Sequence, residues 1–144
     1  MELLAVVTLM GIFAAIAIAR LGPSIFGDIG SEADARRVGL ALLQAKRRAI
    51  SSGNNHAVAF QNDSAGSLTF NVVSLDSFGG TTVVDGPFSF SRNVVPSVSH
   101  NSMTFNFEGQ GLAAYTVNLT GPHKSWRISV VPINGALSTV QTAP

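Results

Sequence analysis

The chain begins with Met1-Glu-Leu-Leu-Ala-Val-Val-Thr-Leu-Met-Gly-Ile-Phe-Ala-Ala-Ile-Ala-Ile-Ala-Arg20, and this stretch decides the fold. No charged side chain occurs from Leu3 to Ala19, and only Thr8 and Gly11 interrupt the apolar residues. As a helix, the uncharged run from Leu3 to Ala19 is roughly 25 Å long, slightly short of a hydrocarbon core of about 30 Å. It is apolar on all sides, so it is not the amphipathic helix of a soluble domain.

Three interpretations of this stretch are open. The first is a cleaved secretory signal, for which Ala17-Ile18-Ala19 offers a small-x-small cleavage pattern. Against it, no positive side chain precedes the apolar run, and the run is long for a signal peptide. The second is a plain membrane anchor, which leaves Glu2 unexplained, because a carboxylate in an apolar helix is costly unless it is paired.

The third interpretation accounts for Glu2. The segment Met-Glu-Leu-Leu-Ala-Val-Val-Thr-Leu-Met-Gly-Ile at residues 1–12 resembles the N-terminal helix of type IV pilins and of type II secretion pseudopilins. Mature chains of that family begin Phe-Thr-Leu-x-Glu-Leu, so Met1 and Glu2 match the x-Glu pair. The resemblance implies that a methylated Phe-Thr-Leu, and before it a leader cut by prepilin peptidase, precedes Met1.

The resemblance also implies an assembly site made by Glu2 with its neighbours Met1, Leu3 and Leu4. In the family, this glutamate pairs with the N-terminal amine of an adjacent subunit while the helices pack in the filament core. A carboxylate in this place also meets the positive end of the helix dipole. The implied partners are further copies of the chain in a helical filament, other pilins or pseudopilins, prepilin peptidase, the inner-membrane assembly platform and the inner membrane.

The composition restricts the classes of function. The net charge is +1 and charged residues make up 12% of the chain, about half the usual share, which argues against a nucleic-acid partner. The chain contains no cysteine, so it has neither a disulfide nor a thiolate metal site. We expect one domain plus an anchor.

Residues 22–30 are predicted to interrupt the helix. Pro23 disfavours helical geometry at Gly22 and removes a backbone donor, and Gly27 and Gly30 follow. The sequence therefore predicts four parts: a hydrophobic helix over 1–21, a Gly/Pro break over 22–30, an amphipathic helix over 31–53 and a β-rich head over 54–144.

The amphipathic helix is predicted to begin at Ser31, with Asp34 as a capping-box-like partner and Gly53 at its end. Glu32 and Arg36 have the spacing of a helical ion pair. The predicted apolar stripe consists of Ala35, Val38, Leu42, Ala45 and Ala49. The basic residues Lys46, Arg47 and Arg48 fit a solvated face or contacts between subunits, with nucleic acid or anionic lipid as the alternative.

Beyond Asn55 the apolar period changes from helical to two, which indicates strands. Seven or eight short runs separated by turns predict one antiparallel sheet or two small sheets, with the amphipathic helix packed across them. A helix followed by strands is an α+β architecture. The predicted runs centre on Val58, Phe70, Val83, Phe88, Phe105, Val117, Ile128 and Leu137.

This second half is similar to the GspH/FimT-like branch of the superfamily, through Asn54-Asn-x-x-Val58-x-Phe60 and Phe105-Asn-Phe107-Glu-Gly109. The resemblance implies a structural filament subunit, in the bacterial inner membrane before assembly and in a periplasmic or surface filament afterwards. The alternatives are a minor pseudopilin of type II secretion and a DNA-binding minor pilin of the FimT kind. DNA-binding members carry arginines in the C-terminal tail, whereas residues 136–144 contain no basic side chain.

No catalytic motif emerges, and the sequence predicts a protein that is not an enzyme and has no cofactor or metal. Gly109-Gln-Gly111 matches part of a dinucleotide pattern but leads into a strand-like run instead of a helix. His56, His100 and His123 are far apart, and each is expected to be an ordinary strand or turn residue. Asp63, Asp76 and Asp85 are single carboxylates in turns, too few for calcium without many carbonyl ligands.

Overall fold

The computed structural model describes residues 2–143; within this range the side chains of Glu2 and of residues 21–26 are not described. The element order is one helix followed by eight strands. This is the α+β architecture predicted from the helix-then-strands pattern.

A single α-helix, α1, runs from Glu2 to Ser52. The break predicted over residues 22–30 is therefore wrong, because the backbone stays helical through Gly22 and Pro23. A proline inside a helix removes one backbone hydrogen bond and crowds the preceding turn. The following turns of α1 pack against the head, and these tertiary contacts stabilise the helix where the local sequence predicts a break.

The helix start predicted at Ser31 is also wrong, since Ser31 lies inside α1. Its hydroxyl donates to the carbonyl of Asp28 at 2.9 Å, one turn earlier in the same helix. Asp34 is turned away from the local backbone and accepts a hydrogen bond from Ser91. Both polar side chains are buried, and the hydrogen bond of Asp34 is a tertiary contact, which a capping pattern does not distinguish from a helix start.

The helix ends where the sequence predicted. Gly53 has a φ of +70°, and its N–H donates to the carbonyl of Ala49 at 3.1 Å. This is the left-handed conformation that glycine adopts after the last helical turn at little cost.

The strands form two four-stranded antiparallel sheets. One has the order β3-β2-β1-β5 and the other the order β4-β6-β7-β8. The strands are β1 (Asn55–Asn62), β2 (Leu68–Leu75), β3 (Thr81–Ser89), β4 (Val95–Val98), β5 (Ser102–Phe105), β6 (Tyr115–Thr120), β7 (Ser125–Val131) and β8 (Ala136–Thr142).

Two features of the sheets were not predicted. The runs around Val83 and Phe88 are one strand, β3, whose pairing with β2 shifts register between Phe70 and Val73. Strand β4 contains Pro96 and lies at the edge of its sheet, next to β6. An edge tolerates proline, because only one side of the strand must supply ladder hydrogen bonds.

The core lies between the C-terminal half of α1 and the two sheets. The predicted helix stripe from Ala35 to Ala49 is confirmed, and each of its five side chains is at most 1% exposed. The largest fully buried side chains across the core are Phe70, Phe105, Leu42, Met103, Leu119 and Ile128. The C-terminal half of α1 is thereby packed against the strands from Ala35 to Ala49.

Candidate assembly site

The N-terminal part of α1 is an uncovered apolar rod. The window Leu3–Arg20 has a mean hydropathy of 2.3, none of it is buried within the molecule, and it is long and apolar enough to cross a membrane. Leu3 is 80% exposed and Leu4 is 71% exposed. An apolar surface of this size requires a lipid or protein environment to cover it.

The polar side chain of Thr8 is satisfied without water. Its hydroxyl lies 3.0 Å from the carbonyl of Leu4 and 2.9 Å from that of Ala5. A hydroxyl bonded to its own helix can enter an apolar environment, because no donor is left unpaired there. The rod from Leu3 to Ala19 therefore presents an apolar outer surface.

The predicted Glu2 pair lies partly outside what the structure describes. Met1 is outside the described residues, and of Glu2 only the backbone is described, as the first residue of α1. The first N–H groups of any helix lack intrahelical acceptors, so a carboxylate close to a helix N-terminus meets partial positive charge. The pairing of the Glu2 carboxylate stays a prediction.

The head approaches α1 closely at Gly27, two turns beyond Arg20, the last residue of the apolar rod. A side chain at Gly27 would lie 2.5 Å from Cγ of Pro122 and 3.3 Å from Cβ of Asn93, so the helix and two loops approach closely there. At the next residue, the Asp28 carboxylate accepts the N–H of His123 at 2.9 Å, and the His123 ring nitrogen Nδ1 lies 3.4 Å from the same carboxylate.

Further contacts continue down the helix to both sheets. Asp34 accepts the N–H of Ser91 at 2.7 Å. The amide of Gln44 donates to Asp85 in β3 at 3.2 Å. Near the helix end, Lys46 donates to the carbonyl of Asn134 at 2.8 Å. These contacts fix the direction in which the apolar rod leaves the head.

The sequence did not predict these contacts between α1 and the head. Asp34 was interpreted as a local cap, and Lys46 as part of a solvated basic cluster. Each partner lies more than fifty residues away along the chain, so no spacing rule identifies it. Only the Glu32–Arg36 pair, which is local, was predicted, and it is confirmed with a nitrogen–oxygen distance of 2.6 Å.

The polar residues that could carry chemistry are dispersed. His56 is buried and its Nδ1 lies 3.1 Å from the Asn54 carbonyl, whereas His100 packs edge-on against Tyr115. Asp63 and Asp76 accept N–H groups within their own turns. Among residues 2–143, the structure brings together no group of three histidine or acidic side chains that could hold a metal ion.

The glycine-rich segment Gly109-Gln-Gly111 lies in the connection from β5 to β6. The Asn106 side chain accepts the N–H groups of Glu108 and Gln110 at 3.1 and 2.8 Å. Gly109 has a φ of +80°, which suits a tight turn. The segment is a turn between strands and has no helix after it, as the sequence predicted.

Two solved structures share this fold. The minor pseudopilin EpsH from the type 2 secretion system of Vibrio cholerae is 15% identical, with a TM-score of 0.62 over 76% of this chain and 95% of that one. The type IV minor pilin FimU of Pseudomonas aeruginosa is 13% identical, with a TM-score of 0.65 over 79% of this chain and 92% of that one. The fold is that of pilins and pseudopilins.

At these identities the likeness establishes the pilin fold alone. No protein-family model matches the sequence, and no curated protein matches it. In terms of the pilin fold, the candidate assembly site is the apolar rod Leu3–Arg20, presented by a head that holds the same helix from Gly27 to Ser52.

Proposed function

We propose that this protein is a non-catalytic structural subunit of a type IV pilus-like filament. The observation that carries the proposal is the continuity of α1, whose N-terminal part is entirely uncovered and whose C-terminal part is the spine of a pilin-fold head. An exposed helix of such hydropathy is unfavourable in water, whereas a subunit that packs helix against helix buries it against its neighbours.

The mechanism is a change of environment for the rod. Before assembly, the rod lies in the inner membrane, where lipid covers Leu3 to Ala19. Prepilin peptidase trims the chain, and the assembly platform moves the subunit out of the membrane. In the filament core, rods of neighbouring copies and of other pilins take the place of the lipid. The head then forms the outer surface.

Glu2 sets the register of each incoming rod. Its carboxylate pairs with the N-terminal amine of the neighbouring subunit, because an unpaired charge in the apolar core is expensive by several kcal/mol. Met1, Leu3 and Leu4 pack around this pair. A rod displaced by one residue loses the pair, so the electrostatic contact selects one packing among many similar apolar ones.

The test is filament assembly by Glu2→Ala and Glu2→Gln in cells. Both variants should remain in the membrane fraction at normal levels, and the yield of sheared filaments should fall at least tenfold. Thr8→Val is the matched control: it alters a polar side chain on the same rod that bonds only to its own helix, and should assemble normally. A normal filament yield from Glu2→Ala would contradict the register mechanism.

A secretion pseudopilus is the second candidate filament, and the likeness to EpsH favours it. The effect of deleting the gene distinguishes a pseudopilus subunit from a pilus subunit. Deleting a pseudopilin blocks release of secreted enzymes and leaves surface filaments intact, whereas deleting a pilus subunit does the reverse.

Nucleic-acid binding is not part of the proposal. Arg47 and Arg48 are exposed at the end of α1, but strand β8 and its flanking residues carry no basic side chain. A gel shift with the full chain in detergent at low salt, where phosphate contacts are strongest, should show no retardation.

A further inference from the structure

The end of the head that faces the membrane is defined by where the rod leaves it. The rod ends at Arg20, and the head lies close to α1 at Gly27, against Pro122 and Asn93. Six helical residues lie between these points, and the rise along the helix from Arg20 to Gly27 is about 10 Å. The polar headgroup zone of one leaflet is roughly 5 to 7 Å thick. A rod inserted up to Arg20 therefore places these two loops immediately outside the headgroups.

Each of the two loops carries an exposed cation. Arg92 lies in the turn Ser91–Val94, which is closed by the hydrogen bond from the N–H of Val94 to the carbonyl of Ser91 at 3.0 Å. Lys124 lies in the turn Gly121–Lys124, closed by the hydrogen bond from the N–H of Gly121 to the carbonyl of Lys124 at 2.9 Å. Neither side chain has a hydrogen bond or ion pair within the described part of the chain.

The acidic side chains at this end already have partners. Asp28 holds the His123 backbone and ring, and Glu32 is paired with Arg36. Asp34 is buried against Ser91 and Arg37. Asp63 accepts the N–H groups of its own turn. The groups left for an external partner are the cations Arg92 and Lys124, together with Arg20 on the rod.

We propose that Arg92 and Lys124, with Arg20, bind the headgroups of anionic phospholipids in the membrane that holds the rod. These three cations keep the head against the bilayer until the subunit is extracted into the filament. The proposal rests on the membrane-inserted stage of the proposed function. Both loops lie within about one Debye length of the headgroups, so their attraction is not fully screened at physiological salt.

A lipid partner is favoured over an acidic protein surface by position. The two cations lie in turns whose residues Asn93 and Pro122 adjoin the helix at Gly27, on the side from which the rod enters the bilayer. Arg47 and Arg48, which are also exposed, lie at the opposite end of the head part of α1. They provide a matched pair of cations that the membrane should not reach.

The test uses the full chain in bilayer nanodiscs. The single tryptophan, Trp126, follows Lys124 by two residues and reports the height of the loop through energy transfer to dansyl-labelled lipid headgroups. Transfer should be higher in discs containing about one third phosphatidylglycerol than in pure phosphatidylcholine. The difference should disappear at about 1 M salt, where the Debye length falls to about 3 Å.

Arg92→Gln/Lys124→Gln should lose the lipid-dependent increment, while Arg47→Gln/Arg48→Gln should retain it. Equal transfer in the two lipids, or equal loss in both double variants, would overturn the inference. A lipid effect that grows with the number of chains per disc would also overturn it, because a neighbouring chain would then be the partner. A chain that fails to insert into the discs would instead contradict the proposed function.

Discussion

The carboxylate of Asp34, only 1% exposed, accepts a 2.7 Å hydrogen bond from the backbone N–H of Ser91, 57 residues further along the chain. The guanidinium of Arg37 lies 3.7 Å from the other carboxylate oxygen. This contact joins α1 to the connection between the two sheets. It helps to fix the angle between the apolar rod and the head.

Asp34→Ala should therefore destabilise the head. The substitution removes a charged acceptor from the part-buried N–H of Ser91, a loss of about 2 kcal/mol in the free energy of unfolding. Asp34→Asn keeps an acceptor and should lose less. Urea unfolding in detergent, followed by Trp126 fluorescence, measures both.

Glu32→Ala is the control on the same helix, since it breaks only the exposed pair with Arg36. It should change stability by less than about 0.5 kcal/mol. Equal losses from Asp34→Ala and Glu32→Ala would show that the contact between Asp34 and Ser91 contributes nothing specific.

Gly27→Ala should also destabilise the protein. The new methyl group would lie 2.5 Å from the Pro122 ring, which cannot turn aside as a flexible side chain could. Overpacking of this kind costs about 1 to 3 kcal/mol, and it should push the loop Gly121–Lys124 away from the helix. Thermal unfolding in detergent and amide exchange in that loop measure the two effects.

Gly39→Ala is the matched substitution in the same helix. Its nearest neighbour is the Thr139 hydroxyl at 4.0 Å, so a methyl group fits there. Higher helix propensity should raise stability by about 0.5 to 1 kcal/mol. If both substitutions stabilise the protein, the close approach at Gly27 is not a structural requirement.

Phe70→Ala should cost about 3 to 5 kcal/mol, as large truncations in a core do. Phe70 is fully buried, and its ring centroid lies 6.0, 5.3 and 5.2 Å from those of Phe60, Phe88 and Phe90. Phe78→Ala removes the same side chain from a 97% exposed position and should be nearly neutral. Comparable denaturation midpoints for the two variants would contradict this account of the core.

The sequence was sufficient for features that depend on local pattern. Periodicity identified the stripe from Ala35 to Ala49, and the change of period located the strands after Asn55. The Gly53 stop and the Glu32–Arg36 pair are local chemistry. Each of these follows from residues within one or two helical turns, or from alternation along one strand.

The features that were mispredicted depend on distant residues. The local sequence at Gly22 and Pro23 predicts a helix break, and that at Ser31 and Asp34 predicts a helix start. In the structure, α1 is continuous through both. Ser31 packs beside Gly121, and Asp34 bonds to Ser91, so tertiary contacts determine both side chains. Strand β4 was overlooked because Pro96 opposes a strand unless the strand lies at an edge, and an edge is a property of the whole sheet.

The central claim, that the rod is retained and packs in a filament, is tested most directly by the intact mass of the chain in filaments sheared from cells. The account predicts an abundant chain that includes Leu3 to Arg20 and begins at or a few residues before Met1, with a methylated N-terminus. A chain that begins at Arg20 and is found free in the medium would contradict it, because the rod would then be a removed signal peptide.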